Sequence, residues 1–159
     1  KGRLDVVTTK IGVIADTHGL LRSEAKRHLQ QCDLIIHGGD IDRRGVLEQL
    51  QHIAPTTAVK GNMDYGHWAQ GLKVRERIEI GKWSILVVHN RQDLPQHLEE
   101  IDIVIFGHSH KFFEKSEDGV LFLNPGSAGP KRFTLPISMA ILTLTEKISV
   151  EKILLKNNA

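Results

Sequence analysis

Short apolar runs alternate with amphipathic segments along the first part of the chain. The apolar runs each end in a polar turn and predict buried strands: Lys10–Ala15, Asp33–His37 and Thr56–Lys60. The segments between them have helical periodicity, each with its first residue as the predicted N-cap: Ser23–Gln31 and Asp42–Ile53. Strands that alternate with helices predict right-handed βαβ units and a parallel sheet.

The second part of the chain changes to a pattern of hairpins. Three pairs of short runs are joined by turn residues and predict antiparallel strands: Val74–Ile80 with Trp83–Val88, Lys111–Lys115 with Val120–Leu123, and Ile137–Leu144 with Ile148–Leu154. A short helix at Leu94–Glu100 and a buried strand at Ile103–Phe106 complete the prediction. We therefore expect a mixed α/β fold in which two sheets pack face to face as a β-sandwich flanked by helices.

The composition is that of an ordinary globular domain. The 159 residues are 40% hydrophobic and 25% charged, which predicts one folded domain over residues 1–159. The formal net charge is only +2 and aromatic residues make up 5%, so the composition indicates neither a nucleic-acid surface nor a base-stacking platform. No apolar run approaches the roughly 20 residues that span a bilayer, so we expect no membrane partner.

The cysteine content and the N-terminal segment bear on the cellular compartment. Cys32 is the single cysteine and has no partner for an intrachain disulfide, which is compatible with a reducing compartment. The N-terminal segment KGRLDVVTTK has no apolar signal core, so we expect no export signal in it. Together these features predict a cytoplasmic protein.

Five polar motifs each follow an apolar run that predicts a strand. They are Asp16-Thr17-His18, Gly38-Gly39-Asp40, Gly61-Asn62-Met63-Asp64, His89-Asn90 and Gly107-His108-Ser109-His110. In α/β sheets, ligands collect beyond the carboxyl ends of the strands, because neighbouring strand ends converge there. Five such ends that carry carboxylate, amide and imidazole groups predict a metal centre.

The spacing within these motifs suits metal coordination. In Asp16-Thr17-His18 and in His108-Ser109-His110 the ligands are two residues apart, and extended backbone would return both side chains to the same side. Asp40 offers two oxygens, which suits a ligand that bridges two cations. Asn62 adds a neutral amide oxygen, and His89 adds an imidazole.

The donor set restricts the choice of metal. Nitrogen and oxygen ligands without a thiolate favour a first-row transition metal or zinc over calcium and over a structural zinc site. We expect two divalent metal ions, with Mn²⁺ as the first candidate and Ni²⁺, Co²⁺, Fe²⁺ or Zn²⁺ as alternatives.

The ordered set of motifs resembles that of the calcineurin-like metallophosphoesterases, in particular their small single-domain bacterial and archaeal phosphodiesterases. The resemblance runs from Ile11 to about Leu144 and includes Leu123–Gly129, which is similar to the family's NPGS turn. The family fold is a β-sandwich flanked by helices. The resemblance implies two metal shells, one made by Asp16, His18, Asp40 and His110 and the other by Asp40, Asn62, His89 and His108.

The resemblance also implies two-metal hydrolysis of phosphate esters, most of all of phosphodiesters. A hydroxide that bridges the two cations would attack phosphorus in line. Asn62, which could orient the phosphate, His89 and Asp64 are the expected catalytic residues. The expected substrate is a small phosphate ester, with a nucleotide as one candidate, and the sequence leaves a homo-oligomer open.

Two positions depart from the family pattern. Met63 stands where many members have a histidine as general acid, and a methionine cannot donate a proton. The next residue, Asp64, is either that acid or a turn-capping side chain. The second departure is Asn90-Arg91 after His89, where the family often reads Gly-His, so Arg91 is either a phosphate contact or a solvated side chain.

A protein-binding scaffold is the main alternative function. The stretch His108–Gly129 is also similar to the phosphoesterase-like subunit of the retromer coat, in which the same fold serves as a binding scaffold. A nuclease is a further alternative, although the chain lacks the expected basic surface. A serine hydrolase is excluded because no G-x-S-x-G elbow occurs, and a structural zinc module is excluded by the single cysteine.

Overall fold

Two five-stranded β-sheets form the centre of the computed structural model, which describes residues 8–132 and 134–156. The strands are β1 (Thr9–Ile14), β2 (Leu34–His37), β3 (Thr56–Ala58), β4 (Arg75–Ile80), β5 (Trp83–Val88), β6 (Ile103–Ile105), β7 (Phe112–Glu117), β8 (Val120–Pro125), β9 (Ile137–Leu144) and β10 (Ile148–Leu155). The helices are α1 (Ser23–Leu29) and α2 (Arg44–Ile53), with single 3₁₀ turns at His67–Ala69 and Arg91–Asp93. This architecture confirms the predicted fold class.

The first sheet has the strand order β10-β9-β1-β2-β3. Strands β1, β2 and β3 are parallel and are connected by α1 and α2, as βαβ units require. The hairpin β9–β10 extends the sheet on the other side, with β9 antiparallel to β1. The predicted parallel units and the last predicted hairpin are therefore present in one sheet.

The second sheet has the strand order β4-β5-β6-β8-β7. Its two edges are the predicted hairpins β4–β5 and β7–β8, and both are antiparallel. Strand β6 lies between them and pairs in parallel with β5 and with β8. The second sheet is therefore mixed, and its central strands all point towards the same edge.

Apolar side chains from both sheets meet in the core between them. Along β1, Ile11 and Val13 face the second sheet, whereas Ile14 faces the helices, as the alternation of side chains along a strand requires. Ile85 of β5 enters the same core from the second sheet, and its neighbour Leu86 packs on the outer face. The continuous apolar runs in the sequence correspond to strands that are buried on both faces.

Four strand ends of the two sheets meet at one edge. The loops after β1 and β2 are joined by a hydrogen bond of 3.0 Å from Asp16 N–H to the Gly39 carbonyl. The loops after β5 and β6 are joined in the same way, from Gly107 N–H to the His89 carbonyl at 3.0 Å. His108 N–H donates to Asp16 Oδ2 at 3.1 Å and so connects the two pairs of loops across the sandwich.

The two predicted N-caps are wrong. Helix α1 begins at Ser23 itself and α2 begins at Arg44, and neither helix has a side-chain cap among the described residues. Asp42 instead has left-handed backbone, with a φ of 70°, and its N–H donates to Asp64 Oδ1 at 2.8 Å. Contacts with a neighbouring loop therefore override the local capping preference.

The predicted helix at Leu94–Glu100 is also wrong, because this segment is irregular. Pro95 disfavours the helical conformation at the residue before it, and Leu94 is accordingly extended, with φ −68° and ψ 143°. Leu94 and Leu98 pack against the outer face of the second sheet. Their apolar spacing therefore reflects contact with the sheet rather than a helix.

No helix in the described part of the chain is long and apolar enough to cross a membrane. The N-terminal segment in which the sequence predicts no export signal begins with residues 1–7, which lie outside the described residues.

The close approach of α1 to β1 at Gly12 generates a stability prediction. A Cβ atom at Gly12 would lie 2.3 Å from Leu29 Cδ2, whereas a Cβ atom at Gly45 in α2 would meet nothing within 4 Å. We expect Gly12→Val to lower the free energy of unfolding by about 2 kcal/mol through overpacking. Gly45→Ala is the matched control and should raise it by about 0.5–1 kcal/mol. Urea unfolding checks both values, and equal effects would contradict the packing.

Candidate metal centre

Five of the seven predicted ligands converge where the strand ends meet. Their donor atoms form two groups that lie within 4.8 Å of one another in each group: Asp16, His18 and His110, and Asp16, Asp40 and His89. Asp16 belongs to both groups and therefore lies at the middle of the cluster. The structure thus assembles ligands from the loops after β1, β2, β5 and β6 into one site.

Two carboxylates face the same imidazole nitrogens. His89 Nε2 lies 3.2 Å from Asp40 Oδ2 and 3.9 Å from Asp16 Oδ1. His18 Nε2 lies 3.7 Å from Asp40 Oδ2 and 4.0 Å from Asp16 Oδ1. On the other side, His110 Nε2 lies 3.6 Å from Asp16 Oδ1. These separations are the size expected of donors that share cations rather than of direct hydrogen bonds.

The backbone of the ligand loops is left-handed. Five predicted ligands have positive φ angles: Asp16 (54°), His18 (47°), Asp40 (59°), His108 (77°) and His110 (65°). The extended backbone expected within the Asp-x-His and His-x-His motifs is therefore wrong, although Asp16 and His18 do face the same point. Non-glycine residues in this region cost about 1–3 kcal/mol each, and such strain is concentrated at functional sites.

Donor atoms at the centre have no protein partner. Asp16 Oδ1, His89 Nε2 and His110 Nδ1 are buried and make no hydrogen bond to any described residue. Buried polar atoms of this kind are rare in folded proteins, because each costs free energy when it leaves water unpaired. With both carboxylates ionised and the imidazoles neutral, as metal binding requires, the site would carry a charge of about −2, which divalent cations would offset. The residues present therefore fit a metal centre.

The two carboxylates, Asp16 and Asp40, have different pKa values. Burial raises the pKa of Asp16 to about 7, with His89 opposing the rise and Asp40 adding to it. Burial also acts to raise the pKa of Asp40, but the adjacent His89 imidazole and the hydrogen bond from the Met63 N–H outweigh it and hold the pKa at about 2. A cation beside Asp16 would remove the penalty that burial places on its charged form.

The orientation of the His89 ring is fixed by a hydrogen bond at the nitrogen that faces away from the two carboxylates. Its Nδ1–H donates to the Gly38 carbonyl at 2.7 Å, which leaves the lone pair on Nε2 directed at the two carboxylates. A backbone carbonyl that holds one ring nitrogen is the usual support for a metal-binding histidine. Gly39, with a φ of 99°, allows this approach, because a Cβ atom there would lie 2.6 Å from His89 Nδ1.

Asn62 and His108 lie at the rim of the site. Both side chains are exposed, and neither belongs to the two ligand groups. The ring of His108 contacts that of His89 edge to face, with centroids 5.2 Å apart. Asn62 lies between Gly61 and Met63, and the Met63 N–H donates to Asp40 Oδ1 at 2.8 Å. The His108 ring therefore lies beside the cluster without joining either ligand group, and Asn62 lies at the rim in the turn that binds Asp40.

Asp64 is a buried acceptor for backbone N–H groups. Its Oδ2 accepts from Asp40 N–H at 3.0 Å and from Gly61 N–H at 2.9 Å, and its Oδ1 accepts from Asp42 N–H. The side chain is 0% exposed. This geometry corresponds to the turn-capping alternative, because a substrate oxygen has no access to either carboxylate oxygen.

His37, a buried histidine at the end of β2, supports two ligand loops. Its Nδ1 accepts from Gly39 N–H at 3.0 Å, so Nε2 carries the proton and donates to Thr17 Oγ1 at 2.9 Å. Complete burial lowers the pKa of His37 to about 3. The signal in the sequence is a histidine in an otherwise apolar strand, but its partners come from other parts of the chain.

Arg91 packs on a cluster of aromatic rings. Its guanidinium carbon lies 5.2, 5.6 and 4.9 Å from the ring centroids of Phe106, Phe113 and Phe122, respectively. These rings are on the outer face of the second sheet. Arg91 therefore makes cation–π contacts, a role that differs from both alternatives considered from the sequence.

The fold and this cluster of carboxylates and histidines define a metal-dependent phosphoesterase class. Residues 9–147 match the Calcineurin-like phosphoesterase superfamily domain, which covers most of the chain. The chain therefore belongs to the calcineurin-like phosphoesterase superfamily, whose members depend on divalent metals.

Three relatives place the chain within this family. It is 34% identical to a probable metallophosphoesterase of Methanocaldococcus jannaschii, over 92% of this chain and 81% of that protein. It is 26% identical to a phosphodiesterase of the same organism, over 74% of this chain and 82% of that protein. Among solved structures, Entamoeba histolytica Vps29 in complex with Zn²⁺ has a TM-score of 0.66 and 26% identity, over 91% of this chain and 98% of that one.

Burial of neutral His37 generates a prediction about pH. Between pH 6.5 and about 3 the unfolded chain binds a proton at this position that the folded chain does not bind. The free energy of unfolding should therefore fall on acidification, with His37 contributing about 1.4 kcal/mol per pH unit between about pH 6 and 4.

The comparison of His37→Gln with the unsubstituted chain isolates this contribution. Urea unfolding of metal-free protein at several pH values should give a less steep pH dependence for the variant, by up to one proton. His97→Gln, at an exposed position, is the matched control. Identical slopes for His37→Gln and the unsubstituted chain would contradict the assignment.

Proposed function

We propose that this protein hydrolyses phosphate esters, foremost phosphodiesters, with two divalent metal ions. The observation that carries the proposal is the convergence of Asp16, His18, Asp40, His89 and His110, with buried donor atoms that have no partner in the described part of the chain. A phosphodiesterase among the relatives supports the diester preference. Residues 1–159 would form a single domain that carries this activity.

We assign the first cation to the group of Asp16, His18 and His110, and the second to the group of Asp16, Asp40 and His89. Asp40 Oδ2 lies within 4.0 Å of both His18 and His89, which supports a bridging role for this carboxylate as well. His108 and Asn62, at the rim of the site, would complete the coordination of the second cation. Nitrogen and oxygen donors without a thiolate support Mn²⁺ as the first candidate.

The cations supply two kinds of chemistry, the activation of water and the offset of negative charge on phosphoryl oxygens. The residues of this chain hold and orient the reacting groups. His89 is held by Gly38 so that Nε2 faces inwards, and Asn62 is exposed at the rim, where its amide can donate to a phosphoryl oxygen. His89 and Asn62 are therefore the proposed catalytic residues.

The mouth of the site carries positive charge. Arg132 follows the Leu123–Gly129 stretch and lies within electrostatic range of the cluster: its charge slightly opposes the rise in the pKa of Asp16 and, after burial, contributes to the lowered pKa of His110. An exposed cation at this position would attract an anionic substrate. We propose a small phosphate ester as the substrate, with a nucleotide as one candidate. A cytoplasmic location and a homo-oligomer stay predictions.

The first test is metal-dependent hydrolysis. Metal-stripped protein should be inactive, and Mn²⁺ should restore cleavage of bis-p-nitrophenyl phosphate more strongly than cleavage of p-nitrophenyl phosphate. Asp40→Asn should reduce the restored rate by more than about 100-fold, since outer-shell residues alone are worth about 10- to 100-fold. Asp118→Asn, in the exposed turn between β7 and β8, is the matched control and should keep full activity.

A binding scaffold is the second candidate, favoured by the similarity to Vps29 along nearly the whole chain. Asp40 and Asn62 support the enzyme, because a carboxylate and an amide are the residue types that bind metal ions and phosphoryl oxygens. No turnover of either ester with Mn²⁺, Ni²⁺, Co²⁺ or Zn²⁺ would contradict the enzyme and support the scaffold.

The burial of Asp64 generates a prediction about the leaving group. Asp64→Asn keeps one acceptor oxygen but replaces the other by an amide NH₂, which leaves one or two of the three backbone N–H groups without an acceptor, and should lower kcat/KM by about 10-fold or more. Because Asp64 does not touch the substrate, the loss should be the same for a p-nitrophenyl ester and for a phenyl ester. A much larger loss with the phenyl ester, which needs protonation of its leaving group, would restore Asp64 as the general acid.

A further inference from the structure

The stretch Asn124–Gly129 connects the two sheets at the edge where the ligands meet. It begins at the end of β8 in the second sheet and leads to β9 in the first sheet. Its residues are almost all buried, including Asn124 (0% exposed) and Ser127 (5% exposed). This stretch contains the NPGS turn, which has no role in the proposed chemistry.

Asn124 holds the loop that carries His108 and His110. Its Nδ2 amide donates to the Gly107 carbonyl at 3.1 Å and to Ser109 Oγ at 3.1 Å. Its Oδ1 accepts from Gly126 N–H at 2.9 Å, which fixes the side chain within its own turn. The two contacts flank His108, and both histidines of the loop have left-handed backbone. Asn124 therefore holds the loop in a conformation that it would not adopt by itself.

Ser127 holds the loop that carries Asp16 and His18. Its hydroxyl donates to the Asp16 carbonyl at 3.1 Å and accepts from Gly129 N–H at 3.4 Å. Next to it, Ala128 N–H donates to the Ala15 carbonyl at 3.1 Å. Gly129 is packed so closely on this loop that a Cβ atom would lie 2.3 Å from the Thr17 carbonyl oxygen. The stretch Asn124–Gly129 thus makes hydrogen bonds to both ligand loops.

From this geometry we infer that Asn124 and Ser127 are positioning residues for the cation held by Asp16, His18 and His110. The ligands of that group all lie on the two loops that the stretch holds. The second group shares Asp16 with the first but keeps Asp40 and His89 on loops that neither side chain contacts, so loss of either positioning side chain should weaken the site of Asp16, His18 and His110 more than the other site. The inference rests on the proposed two-metal function.

Asn124→Asp and Ser127→Ala test the inference. Asn124→Asp keeps the acceptor for Gly126 N–H but loses the donors to Gly107 and Ser109, and Ser127→Ala removes the hydroxyl that binds the Asp16 carbonyl. Ser138→Ala is the matched control, because the buried Ser138 hydroxyl donates to Pro125 in the same stretch without contacting a ligand loop. Ser127→Ala and Ser138→Ala each remove the hydrogen bonds of one buried hydroxyl, so simple destabilisation affects these two alike. Asn124→Asp also buries a carboxylate, so its melting temperature should fall further.

The readout is calorimetric titration of metal-stripped protein with Mn²⁺, together with the melting temperature. The unsubstituted chain and Ser138→Ala should bind two equivalents with similar affinities. In Asn124→Asp and Ser127→Ala, the affinity of one equivalent should fall by about 10- to 100-fold, and the affinity of the other should fall clearly less. If Asn124→Asp does not fold, Ser127→Ala decides.

Two results would overturn the inference in distinguishable ways. Unchanged affinities in both variants, or an equal loss at both sites that Ser138→Ala also shows, would remove the positioning role and leave the two-metal function standing. An unsubstituted chain that binds no Mn²⁺ at all would overturn the proposed function and, with it, the inference.

Discussion

The structure depends on two buried carboxylates that face one set of imidazole nitrogens. Asp16 is fully buried, Asp40 is almost so, and Nε2 of both His18 and His89 lies within 4.0 Å of each carboxylate. To bury two negative charges side by side is costly unless opposite charge compensates them. The positions of the strand ends, the glycines and the turns around the site all follow from the need to hold these carboxylates together.

Buried polar side chains that are not ligands maintain this arrangement. His37 connects the loops after β1 and β2, and Asp64 accepts three N–H groups from the turns around Asp40. Asn124 binds the loop that carries His108 and His110, and Ser127 binds the loop that carries Asp16 and His18. Each of these groups is fully hydrogen bonded and buried, so removal of one leaves its partners unsatisfied. The network offsets the strain of left-handed backbone at five ligand positions.

The fold follows from local patterns wherever burial and local preference agree. The apolar runs that predict strands correspond to β1, β2, β5 and β6, and the alternation of Val74–Ile80 gives the hairpin β4–β5. The sequence-based predictions are wrong where contacts with other parts of the chain, or a proline, determine the local structure. Asp42 binds Asp64 instead of capping α2, and the segment at Leu94 packs on the second sheet because Pro95 prevents a helix.

The sequence by itself determined the chemistry available to the site, since residue types and their places after apolar runs already specify nitrogen and oxygen donors. Only the tertiary structure decided how those donors are used. Asp16 and His18 converge through left-handed rather than extended backbone, and Asp64 faces backbone N–H groups rather than the substrate. The physical reason is that backbone conformation and hydrogen-bond partners at these positions depend on loops up to 111 residues away, as in the contact of Ser127 with Asp16.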